Sequence, residues 1–206
     1  MHKTQYFDSL ALAVGLMSGI LAISIHADEI AEFSAPLNVE YERPGTDYSQ
    51  YTRLLVRDLD LSEAKILPPP WLADKPFRWE VSEKNAKRLQ EAFMASMREQ
   101  ISGNGGHALV SEPGDGVLEL YVKVVSFMPY AEQKDKVVTR GSGEMIIHAE
   151  TRDAQTGELL AIYEGPQEVG RDYQKNTDFT RKENVGKLFD AWGRRIRIAM
   201  DQHPHE

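Results

Sequence analysis

Residues 143–163 constrain the fold more than any other stretch of the sequence. Two apolar-rich segments, GEMIIHAETRD and ELLAIY, flank the short polar turn AQTG. In the first segment Met145, Ile147 and Ala149 fall on one face of an extended chain, which is the period-two alternation of a strand with one buried side. Gly157 can take the positive φ that a bulged hairpin corner needs. The pattern predicts a β-hairpin, and a hairpin needs further strands and helices to cover its apolar face.

The other segments supply those neighbours. An apolar run at residues 54–56, bounded by charge, predicts a short strand that is buried on both faces and central in the sheet. Two more strands are predicted at 107–111 and 117–128, and spacings of three and four predict helices at 82–101 and 182–202. The order strand, helix, strands, hairpin, helix predicts a single α+β domain with a mixed or antiparallel sheet of about four to five strands and two main helices.

The domain is expected to span residues 51–202, with shorter segments on either side. Residues 1–27 have a weakly positive start, an apolar run and a small-residue cleavage site at Ala27, so they predict a signal peptide. The expected product is periplasmic or secreted, with retention as a membrane anchor as the alternative. Residues 28–50 are interpreted as an irregular N-terminal arm, and residues 203–206 as a disordered tail.

Composition excludes several kinds of function. The chain has 206 residues, a formal net charge of -8 and no cysteine. The acidic balance argues against nucleic acid as a partner, because nucleic acid would repel the protein. The basic run Arg194, Arg195 and Arg197 is interpreted as a solvated face near a helix C-terminus, where cations are favoured. Without cysteine there can be no disulfide, thiolate catalysis, Cys-ligated zinc or lipid anchor.

No catalytic, metal or cofactor motif emerges. The chain has no Gly-x-Ser-x-Gly elbow, no Walker loop and no His-Glu-x-x-His. His148 and Glu150 are two apart on a strand and point the same way, but two ligands do not make a metal site and a third is not identifiable. His203 and His205 belong to the terminal tail. No cofactor and no metal are therefore expected.

A partner-binding surface is the best candidate for a site. The segment that follows Pro68-Pro69-Pro70 carries Trp71, Phe77 and Trp79, and aromatic side chains dominate interface energetics. The alternative is that these rings are tucked against the domain, because a stiff proline-rich connector must be held down. The partner would be an envelope protein or a cell-wall component, and the oligomeric state stays open.

Several strings, taken in order, resemble one known family. They span roughly residues 40–201 and read RPGTDYSQY followed by LLVRDLDL, then EPGDGVLEL, GEMIIHAETRDAQTGELLA and FDAWGRRIRIAMD. They resemble the bacterial exported family known as domain of unknown function 3313. The resemblance implies an envelope location and brings no catalytic residues to carry over. Many members look like lipoproteins, whereas this chain lacks the cysteine that accepts the lipid.

Two classes of function remain. In the first, a non-catalytic module of the cell envelope binds another protein or a cell-wall component, as the similar order of elements in small envelope assembly modules suggests by analogy. In the second, a periplasmic hydrolase uses strand carboxylates, which need a cleft that perturbs them. The empty motif search favours the first class. The carboxylates considered for the second are Asp58, Asp60, Glu119 and Glu150.

Overall fold

The computed structural model describes residues 34–72, 79 and 81–201. The predicted signal peptide, the predicted tail and Phe77 lie outside the described residues. The protein forms one mixed sheet, two long helices and a small two-stranded ribbon.

Seven strands make up the main sheet. In chain order, with the ribbon strands β6 and β9 included, the strands are β1 (Asn38–Glu42), β2 (Arg53–Val56), β3 (Lys65–Ile66), β4 (Ala108–Leu109), β5 (Val117–Pro129), β6 (Val138–Arg140), β7 (Gly143–Asp153), β8 (Leu159–Val169) and β9 (Tyr173–Lys175). The order across the sheet is β1-β8-β7-β5-β2-β4, and β3 pairs with β5 beyond β2. β2 and β3 each pair with β5 in parallel, and β4 pairs with β2 in parallel. The β1–β8, β5–β7 and β7–β8 pairs are antiparallel.

The predicted hairpin is confirmed as β7 and β8 at the middle of this sheet. Ala149 pairs with Val122 of β5 on one side and with Tyr163 of β8 on the other. Gly157 has φ 74°, as the corner requires. The Asp153 carboxylate closes the turn by accepting hydrogen bonds from the backbone N–H groups of Gln155 and Thr156.

The predicted count of four to five strands was too low, because the main sheet has seven among the described residues. The additional strands are β3 and β1, and β1 forms inside the arm that was expected to be irregular. All five residues of β1 are exposed, so this edge strand has no apolar alternation for a sequence pattern to detect. β2 is buried as predicted, but it lies next to the edge strand β4 and not at the centre.

Both helices form where their apolar spacing predicts them. α1 (Glu83–Met97) begins after Ser82, whose hydroxyl accepts a hydrogen bond from Asn85 N at 3.3 Å, and a π-helical turn continues it through Ser102. α2 (Asp178–Asp201) begins four residues earlier than predicted, because Thr177 caps it by accepting a hydrogen bond from Thr180 N at 3.1 Å.

The helices run in the same direction across one face of the sheet. Phe93 of α1 meets Phe189 of α2 edge to face, with 5.5 Å between the ring centroids, and Trp192 packs against both rings. Beyond the end of α1, Arg197 donates a hydrogen bond to Gly103 O at 2.7 Å. Apolar side chains of β2, β5, β7 and β8 join this aromatic cluster to form the core.

The second arm of the hairpin extends beyond residue 163, where the predicted hairpin ends. β8 continues through Gly165 and Pro166 to Val169. The next strand, β9, pairs antiparallel with β6, which lies in the segment before β7, and the two strands form the ribbon. The extended conformation at Gly165, with φ 158°, is one that any residue adopts. Gln167 in this stretch is fully buried despite its polarity.

Candidate ligand-binding cavity

A cavity of about 530 Å³ lies between the covered face of the sheet and the C-terminal half of α2. Its floor comes from alternating residues of β5 and β7, including Leu120, Val122 and Ala149. Because alternate residues of a strand face the same side, these apolar side chains all point toward the helices. Trp192 and Ile196 of α2 form the opposite wall. The cavity is therefore the part of the interior that the two helices leave unfilled.

The N-terminal arm closes one side of the cavity. Ser34 donates a hydrogen bond from its hydroxyl to Gln167 Oε1 at 2.8 Å, and Gln167 Nε2 donates to Ala35 O at 3.0 Å. Trp192 Nε1 also donates to Gln167 Oε1, at 3.1 Å. The buried amide of Gln167 thus has its hydrogen bonds satisfied while it joins the arm, β8 and α2.

Arg195 is the charged side chain that lies deepest in the wall. Its guanidinium donates hydrogen bonds to Ser34 O at 2.7 Å and to Ala35 O at 3.1 Å. Burial lowers the pKa of Arg195 from its ordinary value, because a low-dielectric environment disfavours the charged form. Among the interactions of the described residues, none joins Arg195 to a carboxylate. The cavity therefore borders a half-buried positive charge that carbonyl oxygens alone offset.

Hydroxyl groups line another part of the wall. Burial raises the pKa of Tyr163 well above its ordinary value, and the neighbouring Tyr48 adds to the effect. Burial and a hydrogen bond to Asp153 raise the pKa of Tyr51 to about 12. The hydroxyl oxygen of Thr151 is buried and has no hydrogen-bond partner among the described residues. A buried hydroxyl without a partner is costly, so it is a group that a bound molecule could satisfy.

The open face of the sheet carries a second, more polar depression of about 700 Å³. Its charged residues other than the exposed Lys65 form ion pairs. Lys123 forms an ion pair with Glu63, and Glu150 accepts from His148 at 3.1 Å and from Arg152 at 2.7 Å. Paired charges on an open surface contribute little binding energy of their own.

The carboxylates considered for a hydrolase do not form a catalytic pair. Asp58 is exposed, and Glu119 is paired with Arg57. A hydrogen bond from the Tyr121 hydroxyl is the main cause that lowers the pKa of Asp60. Partial burial alone would raise the pKa of Glu150, but hydrogen bonds from His148 and Arg152 outweigh it and lower the pKa. Lowered pKa values keep both groups ionised at neutral pH, which is the opposite of what a general acid needs.

The pair His148 and Glu150 does lie side by side, as their spacing predicts, and His148 is also 3.5 Å from a carboxylate oxygen of Glu164. Within the part of the chain that the structure describes, no group of three or more His, Asp and Glu residues could hold a metal ion. Nor does any helix in residues 34–72 and 81–201 combine the length and apolarity needed to cross a membrane.

The predicted partner-binding aromatics occupy different environments. Trp71 is 61% exposed, and its ring lies 5.6 Å from that of Tyr130. Trp79 donates a hydrogen bond to Ala131 O at 2.9 Å and packs edge to face on Phe127, so it is tucked against the domain. Both tryptophans therefore lie at the end of β5, Trp71 exposed and Trp79 half-buried, and their role in binding a partner stays a prediction.

Sequence reasoning missed the cavity, and Arg195 in particular. Arg195 stands in a basic run that resembles a solvated helix face, although its immediate neighbour Ile196 faces the interior. The available signal was the helical period: Trp192, Arg195 and Ile196 are three and four residues apart and share one face of α2. Gln167 gave no such signal, because its burial depends on partners from three separate elements.

Comparison with known proteins identifies a family and several solved structures of low sequence identity. No curated protein matches the chain significantly. Among solved structures, protein XCC0632 from Xanthomonas campestris is similar over 82% of this chain and 96% of its own, with 11% identity and a TM-score of 0.46. A PelC dodecamer from Paraburkholderia phytofirmans is similar over 77% and 98%, with 9% identity and a TM-score of 0.36. A neuraminyllactose-binding hemagglutinin homolog from Helicobacter pylori is similar over 82% and 94%, with 12% identity and a TM-score of 0.34.

The family match covers the arm from Phe33 onward, the whole sheet and both helices up to Ile196. These are also the elements that build the cavity and its arm. Residues 33–196 match the model of a family described as protein of unknown function, DUF3313, and the chain belongs to that family.

Proposed function

We propose that the protein is a non-catalytic binding module of the bacterial cell envelope, and that its cavity holds the chain of an amphiphile with an anionic head group. The observation that carries the proposal is the apolar cavity of about 530 Å³ with a half-buried cation in its wall. Ligand sites in proteins are cavities of this size, mostly apolar and with a few polar groups that orient the ligand.

The volume supports an acyl chain. A water molecule takes about 30 Å³ in the liquid, and a methylene group is of similar size, so the cavity has room for roughly 15 carbons. Each buried methylene contributes about 0.8 kcal/mol to binding before the cost of association. A long single chain therefore gains enough from burial to bind, whereas a small polar metabolite would find few hydrogen-bond partners along the walls.

Arg195 supports an anionic head group. A guanidinium that is half-buried and offset only by the carbonyl oxygens of Ser34 and Ala35 gains energy from a carboxylate or phosphate that approaches its remaining N–H groups. Glu42 also borders the cavity but is exposed, so its charge is screened by water.

A matched pair of ligands tests the role of Arg195. A fatty acid and the fatty alcohol of the same chain length are titrated into the purified wild type, into Arg195→Gln and into Arg98→Gln, which removes an exposed arginine of the π-helical turn. The wild type is expected to bind the acid more tightly by roughly 10- to 100-fold, the range for a charge-assisted hydrogen bond. Arg195→Gln is expected to remove that difference, and Arg98→Gln to preserve it.

The ratio of the affinities for the acid and the alcohol distinguishes a contribution of the Arg195 charge from its role in holding the arm. Loss of Arg195 also releases the arm, which would weaken the acid and the alcohol alike. An equal loss for both ligands would mean that Arg195 only holds the arm, and no binding of either ligand by the wild type would contradict the site.

The predicted signal peptide at residues 1–27 supports placement in the envelope. The protein recovered from the envelope is expected to begin near Asp28 and to stay in solution without detergent, because cleavage near Ala27 removes the apolar segment. Intact-mass measurement decides between the two forms. A membrane-bound species that retains residues 1–27 would make this an anchored protein.

A further inference from the structure

Most of the exposed large hydrophobic side chains lie at one end of the molecule. Among the described residues eight such side chains are exposed, and two of them belong to the edge strand β1. The other six lie where β5 ends and β7 begins: Leu67, Trp71, Val137, Val138, Tyr173 and Phe179. We call this region the ribbon end, because the β6–β9 ribbon forms its tip.

Contacts place these side chains together. Leu67 N donates to Phe127 O at 2.9 Å and the Trp71 ring packs on Tyr130, which brings both to the end of β5. Asn176 N donates to Val137 O at 2.9 Å, which brings the start of α2 to the same place. Phe179, in the first turn of α2, is 75% exposed.

The β6–β9 ribbon has one face that is both apolar and basic. Val138 pairs with Lys175, and Arg140 pairs with Tyr173. Directly paired residues of antiparallel strands point to the same face. All four are exposed, whereas Thr139 and Gln174, which pair between them, are half-buried. Two cations and two apolar side chains therefore alternate across one exposed surface.

The charge of the ribbon end differs in sign from that of the whole protein. The chain has a formal net charge of -8. Residues 130–140 and 171–182 together have seven Lys or Arg and four Asp or Glu. Five of these cations form no ion pair with the described residues. They are Lys134, Lys136, Arg140, Lys175 and Lys182.

We propose that the ribbon end docks on the surface of an anionic phospholipid membrane. Exposed aromatic side chains insert at the level of the lipid head groups, and unpaired Lys and Arg side chains are attracted to anionic lipids. The rest of the chain has a net negative charge, which favours this orientation because an anionic surface repels it. This surface is separate from the cavity, so the inference does not rest on the proposed function.

Vesicle flotation tests the inference with a matched control. Phosphatidylcholine vesicles, with and without added phosphatidylglycerol, are mixed with the full chain and with two double variants. Arg140→Gln with Lys175→Gln removes two cations of the ribbon face. The control, Arg53→Gln with Arg98→Gln, removes two exposed arginines near the end of the sheet opposite the ribbon end. The two double variants are matched, because each removes one arginine that donates a hydrogen bond to a backbone carbonyl: Arg140 to Arg171 O, and Arg53 to Asp115 O. All three proteins carry the same residues 1–27, so any membrane contribution of that segment is common to them.

The wild type is expected to float with the phosphatidylglycerol vesicles and to be released by salt. The ribbon pair is expected to weaken this binding roughly 30-fold, because each cation near an anionic surface contributes about fivefold, while the control pair binds as the wild type does. Tyr173→Ser with Phe179→Ser is also expected to weaken flotation at low salt, because it removes two exposed apolar side chains that insert among the head groups. Three results would overturn the inference: no flotation of the wild type, equal loss in the ribbon and control pairs, or binding that does not depend on phosphatidylglycerol. A ribbon surface that binds a protein instead would give the first of these.

Discussion

Trp192→Ala is expected to destabilise the protein by about 3 to 5 kcal/mol, the range for removing a large aromatic side chain from a core. Trp192 is 7% exposed and packs against Phe93 and Phe189, with ring centroids 6.4 and 5.2 Å away. Its Nε1 also donates to the buried Gln167, which binds the N-terminal arm. The substitution would therefore remove apolar contacts and weaken the link among α2, β8 and the arm.

Thermal unfolding measures this loss. A decrease of that size corresponds to a fall in Tm of roughly 6 to 20 °C for a chain of this length. Trp71→Ala provides the matched control, because Trp71 is 61% exposed and its removal should change the free energy of unfolding by less than about 1 kcal/mol. Equal Tm values for wild type and Trp192→Ala would mean that α2 does not pack on the sheet through this side chain.

Elements with a clear apolar period could be predicted from the sequence. The spacing of Phe93, Met97 and Ile101 predicts the buried stripe of α1, and all three side chains are fully buried. The alternation in β7 predicts the buried Met145, Ile147 and Ala149, because a strand at the middle of a sheet with one covered face must show period two. Burial at these positions follows from the hydrophobic effect, which requires apolar residues there and so produces a periodic pattern in the sequence.

Elements that depend on hydrogen bonds across the fold could not be predicted. β1 belongs to the sheet because its backbone pairs with β8, and its exposed side chains carry no trace of that pairing. Gln167 is buried because Ser34, Ala35 and Trp192 satisfy its amide, and those partners are distant in sequence. The hydrogen bonds that hold Arg195 half-buried likewise could not be predicted, because its partners Ser34 and Ala35 are distant in sequence.

The cavity itself could not have been predicted either. The sequence pattern of its floor is that of any strand packed against helices, because buried residues such as Val122 and Ala149 alternate with less buried ones. The space lies where α2, the sheet and the arm meet, so it depends on contacts between segments that are distant in sequence. The sequence therefore predicts the layers of the fold and not the gap between them.

Ala149→Phe is expected to abolish most ligand binding while it preserves the fold. Ala149 lies on the cavity floor between Val122 and Tyr163 and is 6% exposed. A phenyl ring placed there occupies the space of about four methylenes of a bound chain. At about 0.8 kcal/mol for each methylene, the loss is about 3 kcal/mol, or roughly 100-fold in Kd. The unliganded protein is expected to keep its Tm, because the new side chain fills an existing space.

Titration of a long-chain fatty acid into the wild type, Ala149→Phe and Ala95→Phe tests whether the cavity is the ligand-binding site. Ala95 is exposed on α1, so the same substitution there adds an identical side chain away from the cavity. One fatty acid is expected to bind to the wild type and to Ala95→Phe with similar Kd, and Ala149→Phe is expected to raise Kd roughly 100-fold. Equal affinities in all three proteins, or no binding by a folded wild type, would contradict the proposal that this cavity is the ligand-binding site.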